Sequence, residues 1–194
     1  MAQKAAKLIR ILTVAPIMAG IMVTLLYVKE PLYYASSFHF AAAIFFLVLM
    51  PLLAYPVAWI VPKIKAKGRE GERTLAIVFA VTGYVLGTVF SLVFGGAAVE
   101  TAVYLTYLLS GVAIALFSFV FHIKGSGHAC GVSGPVAILS FFLGLPYLCG
   151  YLLLGAVCRA SVALKRHTRA QLALGSAVPI LAFALSCGIL RIGF

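Results

Sequence analysis

The amino-acid sequence predicts an all-α protein, a polytopic transmembrane helical bundle of six to seven membrane helices with almost no soluble part. Of its 194 residues, 64% are hydrophobic and only 10% are charged, whereas soluble domains carry about 25% charged residues. The apolar residues also form runs of about 20, the length that a helix needs to cross the hydrocarbon core of a bilayer. We therefore treat residues 1–194 as one integral membrane domain.

The individual spans are apolar runs separated by charged or glycine-rich segments. Five of them cover residues 8–28, 40–61, 74–94, 99–121 and 171–190, and a further apolar stretch covers 132–157. Pro51 and Pro56 lie within the second span, and membrane helices tolerate such prolines because neighbouring groups satisfy the freed carbonyls. The segment 63–73 is the most polar part of the chain, and its lysines are expected to set the topology or to contact lipid headgroups.

The apolar stretch 132–157 can form one long helix or two short helices that break near Pro146. With the break, the chain folds back, and all 15 Lys and Arg residues except Lys29 and Arg191 lie on one face. Without it, the four basic residues of segment 159–169 move to the other face. Because basic residues gather in cytoplasmic loops, the sequence favours two short helices joined near Pro146. It predicts a multi-pass protein of the cell membrane whose polar loops lie on the cytoplasmic face.

In this topology three polar segments meet at one face: 69–73, 124–128 and 159–171. Arginine forks bind phosphate oxygens in bidentate fashion, and a Gly-Ser-Gly loop that opens a helix offers backbone N–H groups to an anion. Two histidines near one phosphorus can act as nucleophile and as proton donor. The pattern therefore predicts a phosphate site with His128 and His167. Spacing alone leaves open whether Arg69 and Arg73 serve this site or form a solvated face.

Other polar features of the sequence argue against several classes of site. All four acids are glutamates, so a carboxylate site for Mg²⁺ is not expected, and the four cysteines form no C-x-x-C pair. No metal and no cofactor are predicted. The net charge of +11 is assigned to membrane topology rather than to nucleic-acid binding, since no basic stretch alternates with exposed aromatics. His39 and His122 are expected to be interfacial residues.

Three short motifs carry a family resemblance within residues 63–175. The segment K-G-S-G-H contains Ser126, Gly127 and His128; the segment S-V-A-L-K-R-H-T-R-A-Q contains His167; and R-E-G-E-R ends at Arg73. Together they resemble the signature K-x6-R-P, P-S-G-H and S-R-x5-H-x3-D of the type 2 phosphatidic acid phosphatase family of integral membrane lipid phosphatases. The first motif is matched loosely, with Arg69 or Lys67 in place of its lysine.

The resemblance implies a role for each matching residue. His167 is expected to be the nucleophile that forms a phosphohistidine, and His128 the acid that protonates the leaving group. The phosphoryl oxygens would be held by a set of basic and small residues, namely Arg73, Arg69, Lys124, Ser126 and the amide of Gly127. The scheme needs no metal.

The chain departs from the family signature at several positions. Ser161 stands where the family has an arginine, six residues before the nucleophile, so Arg159 or Arg166 is expected to replace that arginine. Gln171 stands where the family has an aspartate; it can orient the imidazole through a hydrogen bond but cannot stabilise imidazolium by charge. Gly125 replaces the proline of P-S-G-H, and no proline follows Arg73.

The resemblance implies a metal-independent hydrolase that acts on a lipid phosphate or diphosphate of the polyprenyl or diacylglycerol type. Its partners would be this substrate and membrane lipids, without nucleic acid. Two alternatives remain open at the level of sequence. One is a lipid phosphotransferase that passes the phosphoryl group to an acceptor other than water. The other is a non-enzymatic lipid-binding or transport protein.

Overall fold

The computed structural model describes residues 3–193, and these residues form helices joined by short turns. No β-strand occurs within this range. In chain order the helices are α1 (Gln3–Leu12), α2 (Ala15–Lys29), α3 (Ser37–Ile60), α4 (Pro62–Ala66), α5 (Gly68–Val93), α6 (Ala98–Phe119), α7 (Gly127–Leu143), α8 (Leu145–Ala163) and α9 (Arg169–Leu190).

The helices form a bundle that fits a membrane environment. Five of them, α3, α5, α6, α8 and α9, are long and apolar enough to cross a membrane, and the bent pair α1–α2 would make a sixth span. Helix α7 is apolar but shorter. Large apolar side chains such as Trp59 and Leu181 lie exposed on the outside, as expected where hydrocarbon replaces water. The all-α class predicted from the sequence is confirmed.

The first apolar run, expected as one span over residues 8–28, is bent in the structure. Helices α1 and α2 meet at an angle of 51°, and Val14 between them has an extended backbone. The cause is Pro16 in the first turn of α2, because proline has no N–H to donate to the preceding turn and favours a helix start. The bend turns α1 onto α8.

Helix α3 accommodates its prolines through a wide turn. Residues Phe45–Leu49 form a π-helical segment directly before Pro51. A proline inside a helix removes one hydrogen bond and clashes with the carbonyl four residues earlier, and a local π turn relieves that clash. The helix therefore continues to Ile60 as a single span.

The predicted fold-back in the second half of the chain is confirmed. Helix α7 ends at Leu143, and α8 begins at Leu145 with a 3₁₀ turn that contains Pro146. Gly144 joins them with φ +103° and ψ 173°, a backbone conformation that is essentially restricted to glycine. The two helices pack against each other, and α7 also packs against α2 and α9. As a result, the residues before α7 and after α8 lie at the same end of the bundle.

A buried polar pair lies at the start of α6, at the end of the bundle away from the loops before α7 and after α8. His39 Nδ1 and Glu100 Oε1 are 2.8 Å apart, and both side chains are buried. The backbone amides of Ala35 and Ala97 also donate to Glu100 Oε2. His39 was expected at the membrane interface, but the segment after α2 folds over the start of α6 and encloses it. The pair thereby ties the start of α3 to the start of α6.

Candidate active site

A cavity of about 620 Å³ opens at the end of the bundle where α5, α7 and α9 begin. We call this end the cavity end. The cavity walls come from both halves of the chain, from α1 to α9. The arginine, lysine, glutamate, histidine and glutamine side chains on its walls are Arg10, Arg69, Glu70, Glu72, Arg73, Lys124, His128, Arg166, His167 and Gln171. The polar segments that the sequence predicted to converge thus share one cavity.

Polarity changes steadily along the cavity wall that α5 provides. At the start of this helix the lining residues are charged, and one turn later they become apolar, with Ala76, Ile77 and Val81 followed by Tyr84. The distance from Arg69 to Tyr84 along the helix is about 22 Å at the usual helical rise. Such a wall matches an amphiphilic ligand, with a charged head at the mouth and a long apolar part within the bundle.

His167 lies in the turn between α8 and α9, and Gln171 holds it. The amide oxygen Oε1 of Gln171 is 3.2 Å from His167 Nδ1 and also accepts from the Thr168 amide. Gln171 N donates in return to Thr168 Oγ1 at 3.3 Å, which completes a capping box at the start of α9. Because an amide oxygen only accepts, the tautomer that satisfies this contact carries its proton on Nδ1 and its lone pair on Nε2.

The environment of His167 keeps its ring neutral. Burial, the largest cause, lowers the pKa of His167 below its ordinary value of 6.5, and hydrogen bonds with Gln171 and with the backbone of Lys124 partly oppose this effect. The guanidiniums of Arg10 and Arg73 lower the pKa further through charge repulsion. At neutral pH the imidazole is therefore uncharged, which is the form in which nitrogen can attack an electrophile.

His128 lies in the first turn of α7, with Arg10 beside both of its ring nitrogens. Nε2 is 3.0 Å from the Arg10 carbonyl oxygen, and Nδ1 is 3.4 Å from Arg10 Nη2. A carbonyl oxygen only accepts and a guanidinium only donates, so the tautomer that satisfies both contacts carries its proton on Nε2. The ring lines the same cavity as His167.

The loop before α7 is held tightly against α9. Ser126 N donates to the Gln171 carbonyl at 3.1 Å, and a Cβ atom on Gly175 would come within 2.5 Å of the Ser126 carbonyl oxygen. Glycine at 175 is thus required for this close approach. The Ser126 hydroxyl is fully buried and accepts from Ala129 N as the cap of α7. The structure does not place Ser126 on the cavity wall, whereas Gly127 lies there.

The other predicted basic residues differ in their placement. Arg73 Nη2 donates to Ser118 Oγ at 2.9 Å and to the Gly125 carbonyl at 3.4 Å, so it fastens the loop before α7 to α6. Lys124 lies 3.8 Å from Glu70, with both side chains exposed. Arg166 lines the cavity, but Arg159 does not and is exposed. Of the two replacements expected for the arginine missing at position 161, only Arg166 reaches the cavity.

Arg10 is the residue of the site that sequence reasoning missed. It comes from the N-terminal helix α1, and its Nη1 donates to the hydroxyl of Ser161 at 2.8 Å. In the sequence it counted only as one of the basic residues that set the topology. The departure at Ser161 indicated that an arginine was missing, but no motif or spacing pointed to a residue about 150 positions earlier.

The cavity carries an excess of positive charge. Arg10, Arg69, Arg73, Lys124 and Arg166 line it, whereas Glu70 and Glu72 are its only carboxylates among the residues that the structure describes. Clustered positive charge of this kind attracts an anion. Within residues 3–193, no three His, Cys, Asp or Glu side chains are grouped as ligands for a metal ion.

The chain gives no significant match to any protein-family model, any curated protein or any solved structure.

Proposed function

We propose that this protein is a metal-independent lipid phosphatase, similar in its chemistry to the type 2 phosphatidic acid phosphatases. The observation that carries the proposal is one cavity in which two histidines and five basic side chains line the mouth and apolar helix faces line the depth. Inorganic phosphate alone would need no apolar wall, which runs about 12 Å from Ala76 to Tyr84 at the usual helical rise. A polyprenyl or diacylglycerol phosphate would place its headgroup among the basic residues and its chain between the helices.

The first chemical step is attack by His167. Its Nε2 lone pair forms a bond to phosphorus while the bond between phosphorus and the lipid oxygen breaks. The leaving oxygen takes the Nε2 proton of His128 in its imidazolium form, which the charge of the bound phosphate would stabilise. This proton must first leave the carbonyl of Arg10, and the His128 ring then becomes neutral. This step yields a phosphohistidine and the lipid alcohol. For a diphosphate substrate the leaving group is the lipid monophosphate.

The second step returns the enzyme to its starting state. A water molecule attacks the phosphohistidine, the phosphorus–nitrogen bond breaks, and His128 accepts the proton from the water. Inorganic phosphate leaves, the His167 ring is neutral again, and His128 is again protonated. The basic residues of the cavity stabilise the charge on the equatorial oxygens in both transition states, which is the main contribution that a protein makes to phosphoryl transfer.

We further propose that the cavity end faces the cytoplasm. The argument is the distribution of Lys and Arg, which places all but two of these residues at the cavity end when the chain folds back at Gly144. Basic residues of membrane proteins gather in cytoplasmic loops. The substrate headgroup would then lie in the inner leaflet.

Phosphate release in the presence of EDTA tests the proposal. Purified protein should release inorganic phosphate from phosphatidic acid or a polyprenyl phosphate, and His167→Ala should lower kcat at least about a thousandfold because the nucleophile is lost. An acid-labile phosphorylated protein should be trapped with wild type and be absent from the His167→Ala variant.

The matched control is His122→Asn, which removes an exposed histidine near the site that does not line the cavity. His122 has a positive φ, which asparagine tolerates. This variant should retain wild-type activity. Phosphate release that survives His167→Ala would reject the assignment, and equal lipid binding without turnover by wild type and His167→Ala would support a lipid-binding protein instead. A phosphorylated lipid product formed when an acceptor alcohol is added would identify a phosphotransferase.

A further inference from the structure

We propose that Arg10, which α1 carries into the cavity, binds the substrate phosphoryl group in place of the arginine missing at position 161. The inference rests on the proposed function and assigns one more residue to the same site. Three observations support it: the contact of Arg10 with Ser161, the absence of a carboxylate partner, and the contact with His128.

The first observation is where the guanidinium lies. Ser161 is fully buried on α8, and its hydroxyl accepts a hydrogen bond from Arg10 Nη1 at 2.8 Å. A small side chain at this position therefore leaves room for a guanidinium that comes from another helix. The bend at Val14 makes this possible, because it turns α1 onto α8.

The second observation is the lack of a counter-charge. Among residues 3–193, no carboxylate lies within ion-pairing distance of Arg10, since the ion pairs found are His39 with Glu100 and Lys124 with Glu70. A guanidinium has five N–H donors, and the two side-chain contacts of Arg10 use two of them. Because Arg10 lines the cavity, the remaining donors are available to an anion there. A phosphoryl group has the charge and the geometry that a guanidinium fork matches.

The third observation links Arg10 to the proposed proton donor. Its carbonyl and its guanidinium contact the two ring nitrogens of His128, so the same residue fixes both the tautomer and the position of that imidazole. A phosphoryl oxygen that binds the guanidinium would thus be placed beside the His128 ring. Arg10 is accordingly expected to affect kcat through the transition state and KM through the headgroup.

Replacement of Arg10 tests the inference with phosphatidic acid as substrate. Arg10→Ala should lower kcat/KM about 10²–10³-fold, as is typical when one donor to a developing oxyanion is removed. Arg10→Lys keeps the charge but loses the fork, and it should recover only part of this loss. Lys7→Ala is the matched control, because Lys7 lies one turn earlier on α1, is exposed and does not line the cavity. It should retain wild-type activity.

A compensating double variant separates binding from a structural role. Arg10→Ala combined with Ser161→Arg returns an arginine to the space that the guanidinium vacates, and should regain at least about tenfold of the lost kcat/KM if the guanidinium binds phosphate. If Arg10 only docked α1 onto α8, an arginine on α8 would not restore activity. Loss of activity in Arg10→Ala without any recovery in the double variant would therefore overturn the inference.

The outcomes also distinguish this inference from the proposed function. Suppose that wild type turns over substrate and that His167→Ala abolishes this activity. If Arg10→Ala then retains the activity of the Lys7→Ala control, the role of Arg10 is rejected and the phosphatase assignment is kept. If wild type shows no turnover, equilibrium binding of phosphatidic acid in detergent decides the matter. Weaker binding by Arg10→Ala, recovered in the double variant, would support a phosphate-binding Arg10 in a protein that is not a phosphatase. If Arg10→Ala binds phosphatidic acid as tightly as wild type, the role of Arg10 in phosphate binding is rejected.

Discussion

The pair formed by His167 and Gln171 connects the local geometry of α9 to the chemistry of the cavity. Gln171 Oε1 accepts from the Thr168 amide as part of a capping box and lies 3.2 Å from His167 Nδ1. One amide oxygen thus stabilises the start of a helix and fixes a tautomer. Because an amide is neutral, it orients the ring without the charge that would favour imidazolium.

Gln171→Glu should change the pH dependence of the reaction in a defined direction. Glutamate also completes capping boxes, so the start of α9 should be retained. Its carboxylate would stabilise imidazolium and raise the pKa of His167, against the lowering caused by burial, Arg10 and Arg73. In wild type the neutral form of His167 persists below pH 6.5, whereas in the variant protonation should remove this form at a higher pH. The acid limb of a plot of kcat/KM against pH should therefore move upward.

If the acid limb of the plot of kcat/KM against pH does not move in Gln171→Glu, then His167 is not the group whose protonation produces that limb. Gln171→Leu provides a comparison, because it removes the hydrogen bond without adding charge. It should lower kcat by releasing the ring, and the pKa of His167 should not rise.

The sequence located the histidines better than it located the basic residues. His128 and His167 lie in motifs of small and polar residues beside apolar runs, and the same motifs carry the family resemblance. The residues at positions 126 and 159 were also singled out, but the first caps α7 and the second is exposed away from the cavity. Arg10 was missed because its contacts depend on a bend between helices, which no local pattern reports.

At the scale of elements, the fold-back between α7 and α8 is centred on Gly144 and Pro146. Gly144 adopts φ +103° and ψ 173°, and the following proline restricts the start of α8. The reversal brings the first turn of α7 and the last turn of α8 to the cavity end. The spacing of His128 and His167 along the chain therefore matches two antiparallel helices rather than one rod.

Gly144→Ala should destabilise the protein, because a Cβ atom is strained at this backbone conformation. The expected cost is about 1–3 kcal/mol of unfolding free energy, measurable as a lower midpoint of denaturation in detergent followed by the helical circular dichroism signal. Gly155→Ala in α8 is the matched control, since Gly155 is exposed within a helix and a Cβ there meets no atom within 4 Å. Alanine favours helix over glycine, so this control should be at least as stable as wild type. Equal stability of the two variants would contradict the strain argument.

The sequence predicted the all-α class and the main apolar spans because hydrophobic runs and proline or glycine breaks are local signals. The break near Pro146 followed from charge distribution, a property of the whole chain that can be counted directly. The bend between α1 and α2 was not predicted, although Pro16 marks it, since Pro51 and Pro56 show that a proline does not always divide a span. Whether a proline bends a span or is accommodated within a continuous helix depends on how the neighbouring helices pack.

At the scale of the whole molecule, the fold-back predicts which residues share a side of the membrane. His122 and Lys165 lie in turns at the cavity end, whereas Cys149 lies at the opposite turn, and all three are exposed. In a background with the other cysteines changed to alanine, a membrane-impermeant maleimide should label His122→Cys and Lys165→Cys from one side and native Cys149 from the other. If the cavity end is cytoplasmic, only Cys149 should react in intact cells.

Two outcomes of this labelling would contradict either the fold-back or the proposed orientation. Reaction of the His122→Cys and Lys165→Cys variants from opposite sides would contradict the fold-back and with it the shared cavity. Reaction of both in intact cells, with Cys149 protected, would keep the fold-back and reverse the proposed orientation. The positive-inside argument, rather than the geometry of the site, would then be wrong.

The cavity takes its lining from nearly the full length of the chain, from Arg10 on α1 to Gln171 and Pro179 on α9. A ribosome delivers these residues in order, so Arg10 is synthesised long before the turn that holds His167. During insertion the growing polypeptide therefore contains no finished pocket. A cavity with all of its lining would exist only after the final helix has docked against the others.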